Sequence, residues 1–297
     1  MVHQFSMGSN LLEKIRNDDI EYEVAEEGIV SHTYITEDAV VQEPDHGNGD
    51  RLRRNKHIVE KLAENDGPVP EILDSGEDPL YVVFEKLEGL SLDQRDQFEE
   101  EDYLQAVRNA GKALALIHQE EGSLYGKPRS DTDFEHGEFD EWIEFVKDYV
   151  QGTVDWAESE KFRPVAEKAR EMIDIDDLPE NPPSRILHMD YTPDNQIVDS
   201  NLDVKVIDFD GAIYGDPRFD LMYAKLITFK RGEEVAEEFM EGYEEIRDPK
   251  LRPELERNYT ILAVLRDIRG GEWCLRNDKD VDLEEWRTGL ENTLNDL

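Results

Sequence analysis

Cysteine is nearly absent from this chain: Cys274 is the only one in 297 residues. No intramolecular disulfide can form, which suits a reducing compartment and makes a cytoplasmic protein the expectation. A lone cysteine reads more readily as a small buried apolar residue than as a catalytic thiol. Long apolar runs are missing too. No stretch approaches the ~18 residues of a membrane-crossing helix, so no membrane partner is expected. The first residues, MVHQFSMGSNLLEKIRNDD, lack a basic segment followed by an apolar one, and no signal peptide is read there. Positive charge is scarce. Lysine and arginine total 33 against 73 aspartates and glutamates, a formal charge of −40. A phosphate backbone would be repelled over most of such a surface, which argues against nucleic acid as a partner.

The acid excess runs through the whole chain instead of forming a tail. It reads as adaptation to a cytoplasm at molar salt, as in a halophilic archaeon, where the screening length falls to about 3 Å at 1 M. A carboxylate on a helix face is therefore solvation first and chemistry second. Hydrophobic residues make up 38% and aromatics 9%, enough for a real core and against disorder. The length suits two domains or one two-lobed unit.

Along the chain, residues 11–18 read as a short amphipathic helix. Strand-like runs follow at 21–27, 32–36 and 39–44, with Gly28 between the first two. Residues 51–65 carry Leu52, Ile58, Val59 and Leu62 at near-helical spacing, with Asp50 as the expected N-cap. A connector rich in proline and glycine (67–79) surrounds a short strand, and LYVVFEKLEG (80–89) is an apolar strand. Thereafter the texture turns helical, at 103–120, 138–152 and 154–174, the last with a possible break at Pro164. RILHMD begins a strand, NQIVDSNLDVKVIDFD reads as a hairpin, and 217–297 is helical again. The expectation is an α+β bilobal protein. A small β-rich lobe with one main helix spans 1–87, and a larger, mostly helical lobe spans 88–297, with a small-molecule cleft between them.

LHMDYTPDNQIV (187–198) and the hairpin after it carry the chemistry. A hairpin centred on 200–202 sets Asn195 and Asp208 at its open end, and the preceding loop brings Asp190 alongside. Such oxygen ligands suit Mg²⁺, and a carboxylate off the metal can accept a proton from a hydroxyl.

His188-Met-Asp190-Tyr-Thr-Pro-Asp-Asn195, then Ile207-Asp208-Phe209, then Gly215-Asp216-Pro217-Arg-Phe-Asp220-Leu221, resemble the aminoglycoside/choline phosphotransferase family in order and spacing. That resemblance implies a protein-kinase-like fold and an ATP-dependent, Mg²⁺-requiring kinase. Its acceptor would be a hydroxyl of an aminoglycoside-like, amino-alcohol or sugar-type small molecule. It implies Asp190 as catalytic base, Asn195 and Asp208 as metal ligands, His188 as a brace for the loop, and Asp216 and Asp220 as support behind it. Upstream, LYVVFEKLEGLSL is similar to the family's hinge, placing adenine near the backbone of Glu85 and Leu87. GIVSHTYIT is similar to its glycine loop, with Gly28 and Ser31 near the phosphates.

Two departures stand out. Where the family has a strand lysine or arginine that touches the phosphates, this chain has Gln42. Where the family has the partner glutamate on the next helix, it has Asn55. Losing the lysine alone would leave a buried carboxylate unpaired, whereas two amides can still hydrogen-bond without charge. Lys56 or Arg53 could compensate only by pointing inward. Met189 and Asp194 also stand where relatives usually have glycine. Two readings follow: an active small-molecule kinase, or a weak or dead kinase-like nucleotide-binding or regulatory module. Asp194, Asp210, Asp267 and Glu272, with Trp273, are candidates for attracting a cationic acceptor, against a plain reading as solvated carboxylates and core packing. No oligomeric state is legible.

Overall fold

The computed structural model describes residues 7–25, 31–45 and 47–297. The chain opens with α1 (Met7–Arg16) and then β1 (Glu23–Val24), β2 (Ser31–Ile35) and β3 (Ala39–Pro44). Next come α2 (Gly49–Ala63), β4 (Ile72–Glu77) and β5 (Leu80–Glu85). These strands form one antiparallel sheet in the order β1-β2-β3-β5-β4. Gln42 on β3 stands opposite Thr33 on β2 and Val82 on β5.

The run LYVVF is apolar at successive positions because both faces of β5 are covered. Tyr81 and Val83 pack with Leu12 and Ile15 of α1 on one face. Val82 and Phe84 pack with Leu52, Ile58 and Leu62 of α2 on the other. Period-2 alternation then delivers every side chain to a core. Among the described residues of the expected strand at 21–27, Glu23 and Val24 pair with β2, and residues 26 and 27 lie outside the described residues. Asp50 is not the cap of α2. That place belongs to Asn48, and Asp50 falls in the first turn, where its charge complements the helix dipole.

After β6 (Leu90–Ser91) the chain is mainly helical: α3 (Glu100–Ile117), α4 (Trp142–Trp156) and α5 (Arg163–Met172). The expected helix at 154–174 is therefore the end of α4 and a new helix. Pro164 sits in the first turn of α5, where its missing N–H costs nothing. Then come β7 (Arg185–Leu187), β8 (Gln196–Val198), β9 (Val204–Val206) and β10 (Ile213–Gly215). The last helices are α6 (Pro217–Phe229), α7 (Glu233–Ile246), α8 (Pro253–Arg276) and α9 (Leu283–Asp296). β8 and β9 form the expected hairpin, extended by β6, and β7 pairs with β10.

α3 and α7 cross at backbone contact. A Cβ on Gly111 would lie 2.0 Å from the Phe239 carbonyl oxygen, and one on Gly242 only 1.9 Å from that of Arg108. Nothing larger than glycine fits at either place. The packed α3–α7 pair forms the rigid back of the helical part, against which the loop after β7 rests.

Candidate active site

Between the sheet and the helical part lies a cleft of about 1780 Å³. Its helical wall begins where β7 ends. Met189 follows with φ +65°, a left-handed conformation that costs a non-glycine residue roughly 1 kcal/mol or more. Buried Asp220 on α6 holds this turn. One carboxylate oxygen accepts the His188 N–H at 2.6 Å and the other the Met189 N–H at 2.9 Å. His118 at the end of α3 donates to the same carboxylate from Nε2 at 3.3 Å and accepts from the Tyr243 hydroxyl at Nδ1 at 2.9 Å. Burial holds the His118 imidazole below its usual range, with Asp220 pulling the other way. His118 is thus neutral, and Asp220 is the charged partner. Asp216 caps α6 through the Arg218 N–H at 3.0 Å and accepts from the Tyr259 hydroxyl at 2.5 Å.

His188 joins the loop to the hairpin. Its Nδ1 accepts the Asp190 N–H at 3.2 Å and its Nε2 donates to the Ile207 carbonyl at 2.9 Å, which together assign one tautomer. Asn195 Nδ2 donates to the Asp190 carbonyl at 3.0 Å, and the Ile207 N–H donates to the Asn195 carbonyl at 3.0 Å. With its amide nitrogen engaged, Asn195 offers Oδ1 to a cation. Asp190, Asn195 and Asp208 all line the cleft. Asp208 takes a left-handed φ of +64° just past β9. Solvent reaches its carboxylate through the cleft, yet protein hems it in on the other sides. That surrounding protein, and then the carboxylates of Asp210 and Asp190, push it up to about 6, against the opposing effect of His188.

Asp190 is half-exposed and ion-paired. Arg266 of α8 donates from Nη2 to its Oδ1 at 2.6 Å and from Nε to the Met189 carbonyl. The second carboxylate oxygen remains for another donor. No feature of the sequence singled out Arg266, which lies 76 residues away in a helix with a weak amphipathic pattern.

On the opposite wall, Gln42 and Asn55 meet as expected of two amides: Asn55 Nδ2 donates to Gln42 Oε1 at 3.3 Å. Asn55 is buried, and its Oδ1 has no partner. Neither Lys56 nor Arg53 compensates for the missing lysine. Lys56 pairs with Glu60 at 3.1 Å and Arg53 with Glu77 at 2.9 Å. Of the cations on α2, Arg51 and Arg54 are the ones that line the cleft. Positions 51, 54, 55 and 58 share one helical face, and 53, 56 and 60 share another. Arg51 and Arg54 both draw Asp210 downward, against the burial that raises it.

Ser31 is buried and lines the cleft, while Gly28 lies outside the described residues. Glu85 and Leu87 line it too. The Glu85 side chain accepts the Glu71 N–H at 2.9 Å and pairs with Lys205. Beyond β5, Lys86 and Leu87 make no backbone–backbone hydrogen bond among the described residues, which leaves those groups open to a flat polar ligand.

The acidic candidates for an acceptor site separate. Glu272 is buried and accepts from the Ser159 hydroxyl at 2.5 Å and backbone at 3.2 Å, away from the cleft. Asp267 is held by Lys230 and by the Trp286 indole at 3.0 Å. Asp194, Asp210 and Trp273 line the cleft.

The sequence profile of the phosphotransferase enzyme family matches residues 21–255. This chain belongs to that family. As a phosphotransferase it shares its fold with solved relatives. A thermostable mutant of aminoglycoside phosphotransferase APH(4)-Ia, in a ternary complex with ADP and hygromycin B, superposes with a TM-score of 0.71 at 19% identity, covering 98% of each chain. A choline/ethanolamine kinase family protein from Mesorhizobium loti gives 0.61 at 17% identity, covering 93% of this phosphotransferase and 87% of that chain. Macrolide 2'-phosphotransferase MphH from Brachybacterium faecium gives 0.60 at 16% identity over 97% of each. No curated protein sequence matches significantly. The expected α+β, kinase-like bilobal architecture is the one found.

Proposed function

We propose that this phosphotransferase is an ATP-dependent small-molecule kinase, with residues 1–87 forming the nucleotide lobe and 88–297 the catalytic and acceptor lobe. The observation that carries this is the meeting of Asp190, Asn195 and Asp208 in one cleft that Lys86 and Leu87 also line. Adenine would lie against the backbone near Glu85 and Leu87, with Ser31 and Gly28 toward the phosphates.

Among the described residues no three acidic, histidine or cysteine side chains gather into a self-sufficient metal site. Mg²⁺ takes one or two protein oxygens and completes its shell with phosphates and water. Asn195 Oδ1 and the Asp208 carboxylate, crowded by Asp210 and Asp190, are the donors that would hold it. When bound, the ion neutralises charge on the transferring phosphoryl group. Asp190 accepts the acceptor's hydroxyl proton on the oxygen that Arg266 leaves free. Arg266 fixes the carboxylate's orientation, and His188 holds the loop against the hairpin. The positive charge absent at Gln42 is supplied from the helix by Arg51 and Arg54. The acceptor hydroxyl belongs to an aminoglycoside-like, amino-alcohol or sugar-type class, narrowed below.

The test is titration with Mg·ATP, followed by ADP release against a panel of hydroxyl compounds. Binding plus turnover sustains the kinase. Mg·ATP binding without turnover across the panel supports the alternative, a kinase-like nucleotide-binding module without catalysis.

A further inference from the structure

An uncompensated cation is unusual in a chain with 73 acidic residues. Arg108 on α3 shows the ordinary outcome, gathering Glu238, Glu241 and Glu245 around one guanidinium. Five cations lining the cleft depart from it, one of them Lys86 just beyond β5. Like it, Arg51, Arg54, Lys127 and Arg269 form no ion pair among the described residues. Arg54 donates from Nε to the Pro128 carbonyl at 3.3 Å, which sets it beside Lys127. Arg269 donates from Nε to Thr153 Oγ1 at 2.7 Å, and its guanidinium lies 4.5 Å from the Tyr149 ring centroid. Thr153 is itself buried and donates to the Tyr149 carbonyl at 2.8 Å. Neutral partners thus fix Arg269 in place without cancelling its charge.

These charges act on one another. Lys127 is reachable by solvent but sits in a concavity. The surrounding protein holds its ammonium below the usual range, and Arg54, Arg269 and Arg51 add to that, with Glu138 opposing. Converging like charges are unfavourable unless an anion joins them.

Two anionic molecules could do so, the nucleotide and the acceptor. Arg51 and Arg54 project from α2 beside Asn55 and belong with the nucleotide phosphates. Lys127 and Arg269 belong to the helical part. Arg269 is three residues along α8 from Arg266, which holds Asp190, and so shares a face with it. A hydroxyl delivered to Asp190 therefore comes within reach of Arg269. We propose that the acceptor is an anionic hydroxyl compound, a carboxylate or a phosphate ester. Lys127 and Arg269 bind its charge while its hydroxyl faces Asp190. The acids on that wall do not reverse the sign. Asp267 is occupied by Lys230 and Trp286, and Asp282 caps α9 through the Glu284 N–H at 3.0 Å and the Glu285 N–H at 2.9 Å. Glu285, exposed at the rim, and Asp194 remain, with Glu138 beside Lys127, whose backbone N–H it accepts at 3.4 Å. A polycationic aminoglycoside would instead meet an ammonium and a guanidinium. This inference rests on the kinase reading above.

The experiment uses matched sets of acceptors: glycerol, glycerate and glycerol 3-phosphate; glucose, gluconate and glucose 6-phosphate; and an aminoglycoside. ADP release with Mg·ATP is followed at one fixed KCl concentration. The anionic members are expected to turn over with kcat/KM at least about tenfold above their neutral counterparts, and comparing the acid with the ester identifies the group bound. Arg269→Gln should raise KM for the anionic acceptor roughly ten- to a hundredfold, the loss of a charge-assisted contact, with KM for ATP unchanged. Arg53→Gln, which removes a charge from the other face of α2, should alter neither constant. Preference for a neutral or cationic acceptor, or an Arg269→Gln effect on ATP alone, overturns the inference and leaves the kinase standing. No turnover of any compound despite Mg·ATP binding overturns the kinase reading, and this inference with it.

Discussion

At the scale of single residues, the proposed reading moves the charge that meets the phosphates from the position of Gln42 on β3 to Arg51 and Arg54 on α2. The amide pair keeps β3 and α2 in contact at 3.3 Å without burying an ion. Arg54→Gln should therefore weaken Mg·ATP binding about ten- to a hundredfold, whereas Gln42→Ala should cost little binding. Calorimetric titration separates the two, and equal losses would speak against the relocation. Asp208 gives a second expectation. Burial by the surrounding protein, and then the carboxylates of Asp210 and Asp190, push its carboxylate up to about 6. Asp208→Asn removes that repulsion, so the apo protein should melt higher while Mg-dependent ATP affinity falls. An apo melting temperature that drops would show that the carboxylate stabilises the fold.

At the scale of elements, the loop after β7 is held from behind. Asp220 on α6 ties the His188 and Met189 N–H groups to His118 on α3, and His118 to Tyr243 on α7. His118 titrates near 6.5 when unfolded and lower when folded, because burial disfavours its charged form. Its contribution is thus fully present above about pH 6.5 and is lost as pH falls toward the lower folded value. Asp220 is held low and loses its contribution only below the usual carboxylate range. His118→Gln should cost about 1–3 kcal/mol at pH 7.5 and less at pH 5. A constant difference across that range, by chemical denaturation, would remove the linkage.

The same elements show what the sequence could reveal. β3 matches its expected span, and the hairpin forms around its expected turn, because alternation and turn chemistry are local signals. The helix expected at 51–65 forms two residues earlier, at Gly49–Ala63, and its orientation is not legible in the sequence. Periodicity identifies the apolar stripe at Leu52, Ile58 and Leu62 without saying which polar flank overlooks the cleft. Arg53 and Lys56 are as eligible by sequence as Arg51 and Arg54, but it is the latter that line the cleft. Arg266 and Lys127 left no local trace, since they reach the site only through tertiary packing. Glu272 was hidden by composition: among so many acids, the one buried against Ser159 looks like the others.

At the scale of the whole molecule, a formal charge of −40 opposes the compact state through self-repulsion. Screening shortens to about 3 Å at 1 M salt. The melting temperature should therefore rise steeply between ~0.1 M and ~2 M KCl, and a flat response would mean that the acid surface is locally compensated. Against this negative field, the cations Arg51, Arg54, Lys127 and Arg269, which line the cleft without ion pairs among the described residues, would attract an anion there.

The most direct test of phosphoryl transfer by this cleft is ³¹P NMR of the protein with Mg·ATP and hydroxyl acceptors, run beside Asp190→Asn. The expected result is a phosphate-ester signal and ADP from the wild-type chain. The variant should be slower by about 10²–10⁴-fold with Mg·ATP still bound. An ester formed equally fast by Asp190→Asn would contradict the assignment of the base. ATP bound but never consumed by the wild-type chain would contradict the kinase.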